Sequence, residues 1–295
     1  MLPCPYSQLL LQMKSSPDAR LLDCIVVALV VIAFAIGGGA AHAHTGRPVA
    51  PPPAEPAPLA KQIDRAQAVI EDPGSSPGKL ADAGLTEELS TEVLASDRPG
   101  RRRATLALLS PRAAATERTD LAASAGLSRI TTPEMHFPPW RISQPPPPGI
   151  LLADFRAAQA RFGVPWQYLA AIEFVETRFG RIHGPSPAGA QGPMQFEPST
   201  WAAYGRGSID SQHDAIFAAA RYLVANGAPR DMADALFHYN DSPEYGEAVT
   251  DYARRMQVDA RAFDGYYNWQ VIVAKGRGKF LLPDGYPSGR PEPIR

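Results

Sequence analysis

Cysteine is nearly absent from this chain: two in 295 residues, Cys4 and Cys24. Both precede or begin the first apolar stretch, so the rest of the chain has neither a disulfide framework nor a thiolate metal site. Charge of one sign is lacking as well. Twenty-nine Lys and Arg face 30 Asp and Glu, and residues 150–270 hold 10 basic against 14 acidic side chains. A nucleic-acid module presents a basic face to phosphates, so no nucleic-acid partner is expected, and Arg101-Arg102-Arg103 reads as a solvated cluster. The six histidines form no H-x-x-x-H or H-E-x-x-H spacing, so neither a metal nor another cofactor is expected. Aromatics are missing from one long stretch. No Phe, Trp or Tyr occurs between Phe34 and Phe137, while 17 of the 31 prolines fall between Pro48 and Pro148. Such a segment has little bulk with which to offset chain entropy.

From Cys24 to Ala41 the chain is uncharged, and its strongly apolar part, Cys24–Ile36, is 13 residues long. That length suits a signal-peptide core, and Ala41-His42-Ala43 fits a cleavage site. All 18 residues together also suffice to span a bilayer. Residues 1–43 are therefore expected to be a signal peptide or a membrane anchor. Either outcome places the rest outside the cytoplasm, secreted or held at the cell membrane. Residues 44–148 read as a Pro/Ala-rich disordered linker, with Pro51–Pro53 and Pro145–Pro148 favouring extended polyproline at its ends. Transient helices over 60–71 and 81–94 have little to pack against. The segment is expected to act as a passive tether, with binding of cell-wall protein partners as the alternative.

From Gly149 onward apolar residues recur at helical spacing. Leu152, Phe155, Ala158 and Phe162 form one stripe. Pro165 starts a helix to Phe179, and Pro198 starts a short one with Trp201 and Tyr204. Ser211 precedes a helix stopped at Asn226-Gly227, another runs from Arg230 to Tyr239, and Ser242-Pro243 begins one carrying Tyr245, Val249, Tyr252 and Met256. Beyond Asp264 the period becomes two: Trp269, Val271 and Val273, a turn at Gly276–Gly278, then Phe280 and Leu282. The fold class is mainly α over 149–270, with a small C-terminal β-hairpin and tail over 271–295.

The helix Pro165–Phe179 carries the most informative residue. On its helical wheel Pro165, Tyr168, Leu169, Ile172, Val175 and Phe179 share one apolar stripe, and Glu176 falls inside it. Glu173 falls on the margin, and Phe174 and Arg178 face away. A carboxylate among apolar side chains resists ionisation, so its pKa rises and it can deliver a proton near neutrality. The wheel alone leaves open a buried Glu paired with an Arg or a backbone amide. A loop rich in small residues follows, Ser186–Pro193, leading into Met194-Gln195-Phe196. Small residues let backbone approach a ligand closely, and Gln195 can both give and accept hydrogen bonds with sugar hydroxyls.

Glu176-Thr177, then Gly189-Ala190-Gln191-Gly192-Pro193-Met194-Gln195-Phe196 with Pro198-Ser199-Thr200-Trp201, and later Phe237-His238-Tyr239-Asn240, resemble the three ordered motifs of lytic transglycosylases. These are members of the lysozyme-like superfamily that cleave peptidoglycan glycan strands. The hairpin from Trp269 is similar to the tail of actinobacterial members. The resemblance implies a lysozyme-like helical domain over 149–270. It implies Glu176 as catalytic acid/base and Gln195, Tyr239 and Asn240 as substrate-binding residues, with Ser186 matching a serine near the reacting sugar. Thr177 replaces the commoner Ser and keeps the hydroxyl, while Glu197 takes a usually apolar place.

The same resemblance implies cleavage of the MurNAc–GlcNAc β-1,4 bond with one carboxyl group. Glu176 would protonate the glycosidic oxygen, then accept the proton of the sugar's own 6-hydroxyl as a 1,6-anhydro ring closes. Most glycosidases need two carboxylates. Asp210, Asp214, Asp241 and Glu244 lie downstream as candidates for a second, which would make the protein a hydrolytic muramidase. A non-catalytic wall-binding module is the third reading. Peptidoglycan is the expected partner, and the membrane joins it if the N-terminal segment is kept.

Overall fold

Pro56, Pro77, Pro99 and Pro111 each stand in the first turn of a helix in the computed structural model, which describes residues 51–133 and 135–294. The helices are α1 (Pro56–Glu71), α2 (Pro77–Ser96), α3 (Pro99–Leu108) and α4 (Pro111–Ile130). The disordered linker expected over 44–148 is thus corrected across 56–130. Proline's preset φ and missing N–H suit a first helical turn, so residues that suggested an extended tether mark helix starts. Ser76 and Ser110 add side-chain caps to α2 and α4. Leu59, Ile63, Leu94, Leu109, Ala113 and Leu121 pack as an aliphatic core among these helices. The expected signal peptide or anchor over 1–43, with Cys4 and Cys24, lies outside the described residues. Among the described residues no helix is long and apolar enough to cross a membrane.

The following helices are α5 (Pro148–Phe162), α6 (Trp166–Thr177), α7 (Pro198–Tyr204), α8 (Gln212–Ala225), α9 (Met232–Tyr239), α10 (Pro243–Val258) and α11 (Ala262–Tyr267). Ser211 and Ser242 cap α8 and α10 through their hydroxyls. Two strands, β1 (Arg141–Ile142) and β2 (Ile182–His183), pair antiparallel. The C-terminal hairpin is β3 (Val271–Lys275) and β4 (Gly278–Leu282), extended by β5 (Glu292–Ile294) into a three-stranded antiparallel sheet. The protein is therefore mainly helical with a small sheet at its C-terminus.

Helix α6 is central. Phe174, expected to face away, is fully buried and contacts Tyr252, Tyr266, Trp269 and Phe179. A helix covered on nearly every side loses the single-stripe pattern a surface helix shows. Aromatic side chains from the C-terminal half also reach back to the N-terminal helices. Tyr266 donates to Asp120 of α4 and Trp269 Nε1 to Glu87 of α2. Helix α2 passes so close to α11 that a Cβ on Gly84 would stand 2.6 Å from the Gly265 carbonyl oxygen. The aromatic-free segment is thus stabilised by bulk contributed from elsewhere in the chain.

This interface buries ionisable groups. Arg255 of α10 donates to Glu87 Oε1 at 2.5 Å and Asp120 Oδ2 at 2.6 Å. Glu88 accepts from the Gln270 backbone N–H at 2.6 Å, and both carboxyl oxygens of Glu117 are buried without a hydrogen-bond partner. Burial pushes both Glu88 and Glu117 up to about 8. Raised carboxyl pKa values contribute stability below the unfolded-state value near 4.5, and the contribution is lost as pH rises through about 8. The urea midpoint is therefore expected to fall between pH 6 and pH 9. A midpoint that rises over that interval overturns the assignment of these two groups.

Candidate active site

Glu176 lies in the last turn of α6, which stops abruptly. Arg178, Phe179 and Gly180 follow in left-handed conformation, with φ of 53°, 60° and 79°. Two consecutive non-glycine residues in that region carry strain, and burial of the Phe179 ring holds them there. Thr177 ties the helix end to the loop beyond. Its buried hydroxyl donates to the Pro193 carbonyl at 2.6 Å and accepts from the Gly180 N–H at 3.0 Å. A hydroxyl is needed at this position, and Thr supplies it as Ser would.

The loop is equally constrained. Gln191 and Phe196 exchange backbone hydrogen bonds of 2.9 Å in each direction, closing a tight turn. At Gly192 φ is +74°, and an added Cβ would fall 2.0 Å from the Ile209 carbonyl oxygen, so only glycine fits. Met194 and Phe196 are buried anchors. Between them Gln195 is half-buried with φ of 47°, its side-chain amide donating to the Gly192 carbonyl at 2.9 Å.

Two tyrosines complete the surroundings. The Tyr245 hydroxyl, from the first turn of α10, donates to Glu176 Oε1 at 2.6 Å. The Tyr239 ring, at the end of α9, lies parallel to the Tyr245 ring with centroids 6.4 Å apart, and its hydroxyl donates to the Met194 carbonyl at 2.7 Å. Glu176 is half-buried, on a floor of aromatic and backbone groups. Desolvation pushes its carboxyl up to about 7, with the Tyr245 hydrogen bond opposing. Near neutral pH this group can both give and take a proton. Burial and the nearby Glu176 charge keep the Tyr239 and Tyr245 hydroxyls protonated well beyond the ordinary phenol range.

The structure brings Glu176, Gln195 and Tyr239 of the sequence-predicted residues into one neighbourhood. Asn240 is exposed at the C-terminal end of α9. Ser186 is engaged within its own loop, where its hydroxyl accepts from the Ala190 N–H at 3.1 Å. Sequence reasoning missed two groups. Tyr245 sits on an apolar helical stripe like any core aromatic, and only the approach of α10 to α6 shows its hydroxyl meeting Glu176. Glu173, placed at a stripe margin, is fully buried and accepts from Gln212 Nε2. Desolvation pushes it up to about 8, so it is a neutral acid at pH 7, one turn before Glu176. Its one sequence signal was its place beside an apolar stripe, which many surface carboxylates share.

No protein-family model, curated protein or solved structure matches this chain.

Proposed function

We propose that this protein is an exported peptidoglycan lytic transglycosylase with a lysozyme-like fold, in which Glu176 is the single acid/base. One observation carries the reading: a half-buried carboxyl with its pKa raised to about 7, held by Tyr245 and flanked by the loop that contains Gln195. Glu176 in its protonated form delivers a proton to the glycosidic oxygen. As carboxylate it then accepts the proton of the muramic acid 6-hydroxyl, and the Tyr245 hydroxyl stabilises the charge formed. The amide of Gln195, the ring of Tyr239 and the exposed Asn240 bind the glycan, which is the protein's partner; Ser186 supports their loop. The N-terminal segment exports the protein and, if uncleaved, holds it at the membrane.

Two of the four downstream candidates for a second acid, and Glu173, are engaged elsewhere, while Asp210 lines a cavity that does not include Glu176. Asp214 accepts the Ser208 N–H, Glu244 accepts from Ser242, and Glu173 is bonded to Gln212. Digestion of purified peptidoglycan with the chain, followed by mass spectrometry, tests the proposal. Anhydro-ended muropeptides are the expected product. Reducing ends would identify a hydrolytic muramidase instead, and binding without fragments a wall-binding module.

The pH profile has a stated direction. A general acid must enter protonated, so kcat/KM is expected to fall as pH rises through about 7. In Tyr245→Phe the hydrogen bond that favours the carboxylate is gone, so the Glu176 pKa moves further up and the alkaline limb shifts to higher pH. Carbon NMR titration of the Glu176 carboxyl reads the same shift without relying on turnover. A downward shift would show that Tyr245 does not act on Glu176 in this way.

A further inference from the structure

The loop segment Gln191–Pro193 has a second face. There it bounds a cavity of about 530 Å³ whose walls include Arg141, His183, Asp210 and Gln212, but not Glu176. The cavity is joined to the candidate active site through Pro193, which lines it and whose carbonyl accepts the hydroxyl of Thr177, the neighbour of Glu176. Strand pairing sets Arg141 directly opposite His183. Ser143 Oγ lies 2.6 Å from His183 Nε2, so one ring nitrogen is engaged within this small sheet. Arg141 and Asp210 act on that imidazole with opposite sign: burial and Arg141 lower its pKa while Asp210 raises it.

A cation and an anion therefore line one cavity, within electrostatic reach of a single ring. Among the described residues neither Arg141 nor Asp210 takes part in a salt bridge. Both are exposed enough to meet a ligand. A neutral sugar would use neither charge. A simple anion would meet Asp210 unfavourably, and a simple cation would meet Arg141 in the same way. A group bearing both charges is the class that satisfies both walls.

We propose that this cavity binds an amino-acid zwitterion, with Arg141 taking its carboxylate and Asp210 its ammonium group. Resting on the function proposed above, its source is the unlinked diamino acid of a wall peptide carried on the glycan that lies over Glu176. Cross-linking turns that ammonium into an uncharged amide, so the cavity selects glycan whose peptides are not yet linked. Gln191 supplies a neutral hydrogen-bonding group on the same wall.

The test uses the full chain carrying Glu176→Gln, so that no probe is consumed. It is titrated calorimetrically, at low salt, with a disaccharide-tripeptide whose terminal diaminopimelate keeps its side-chain amine free and with the same compound acetylated on that amine. Acetylation is expected to weaken binding by about tenfold or more. Adding Asp210→Asn is expected to reduce that preference to about threefold or less, whereas Arg141→Gln, which removes the partner of a carboxylate both probes carry, is expected to weaken both probes alike. Equal affinity for the two probes, no binding of either, a preference that survives Asp210→Asn, or unchanged affinity in Arg141→Gln overturns the proposal. Wild-type cleavage of peptide-free glycan reports separately on the active-site reading. Cleavage without probe preference removes the cavity proposal alone, and preference without cleavage removes the transglycosylase reading while the zwitterion site stands.

Discussion

Glu176→Gln is expected to lower glycan cleavage by about 10²–10⁴-fold, the range a positioned acid/base supplies, while leaving the fold intact. The amide has nearly the shape of the carboxyl, and its oxygen can accept the Tyr245 hydroxyl as Glu176 Oε1 does at 2.6 Å. It cannot deliver a proton or take one back. Stability should change in a definite direction too. The raised pKa means the native state loses stability as pH climbs through about 7 and the buried carboxyl ionises. A neutral amide has no such loss, so the variant is expected to unfold at higher temperature than wild type above pH 7 and at a similar temperature below pH 5. Circular dichroism, thermal scans at two pH values and muropeptide release measure all three. Wild-type cleavage by the Gln variant would end the assignment of Glu176 as the acid.

The second large effect concerns Arg255. Its guanidinium is buried between α10, α2 and α4, bonded to Glu87 and Asp120 and packed 4.6 Å from the Tyr266 ring centre. Arg255→Ala leaves two buried carboxyl groups without their cation and a void beneath Tyr266. Removing one side of a buried ion pair costs about 3–5 kcal/mol, a large share of the ~5–15 kcal/mol that holds a typical domain folded. Urea unfolding at pH 7 is expected to show that loss. Adding Glu87→Gln and Asp120→Asn to the same variant should recover part of it, because neutral amides need no counter-charge. A loss below about 1 kcal/mol for the single change would show that the pair is solvated and that α2 and α4 do not depend on it. Since α10 also carries Tyr245, the N-terminal helices and the proposed acid share one support.

The helices α5 to α10 were legible because their signals are local. Pro198, Ser211 and Ser242 mark helix starts through backbone geometry and capping chemistry, and their helices begin beside them. The alternation of Val271, Val273, Phe280 and Leu282 likewise becomes a hairpin, Val271 opposite Leu282. Glu176 stood out because an acid inside an apolar stripe is energetically conspicuous without knowledge of any partner. Helices α1 to α4 were hidden for the opposite reason. Their prolines have two local meanings, tether or helix start, and the buried carboxylates of α2 and α4 meet their partners in Tyr266 and Trp269, more than 100 residues away in the chain. Phe174 and Glu173 were misplaced because a wheel assumes one buried face, and α6 has several.

By itself the sequence determined where the helices after residue 148 start and that Glu176 lies within an apolar stripe. Each of these depends on interactions within a few residues. Tertiary structure alone decided that the aromatic-poor segment folds and that Tyr245 meets Glu176. It also decided that Arg141, His183 and Asp210 share one cavity. Those outcomes depend on burial and charge pairing between distant segments, energies that do not exist until the chain has closed around α6.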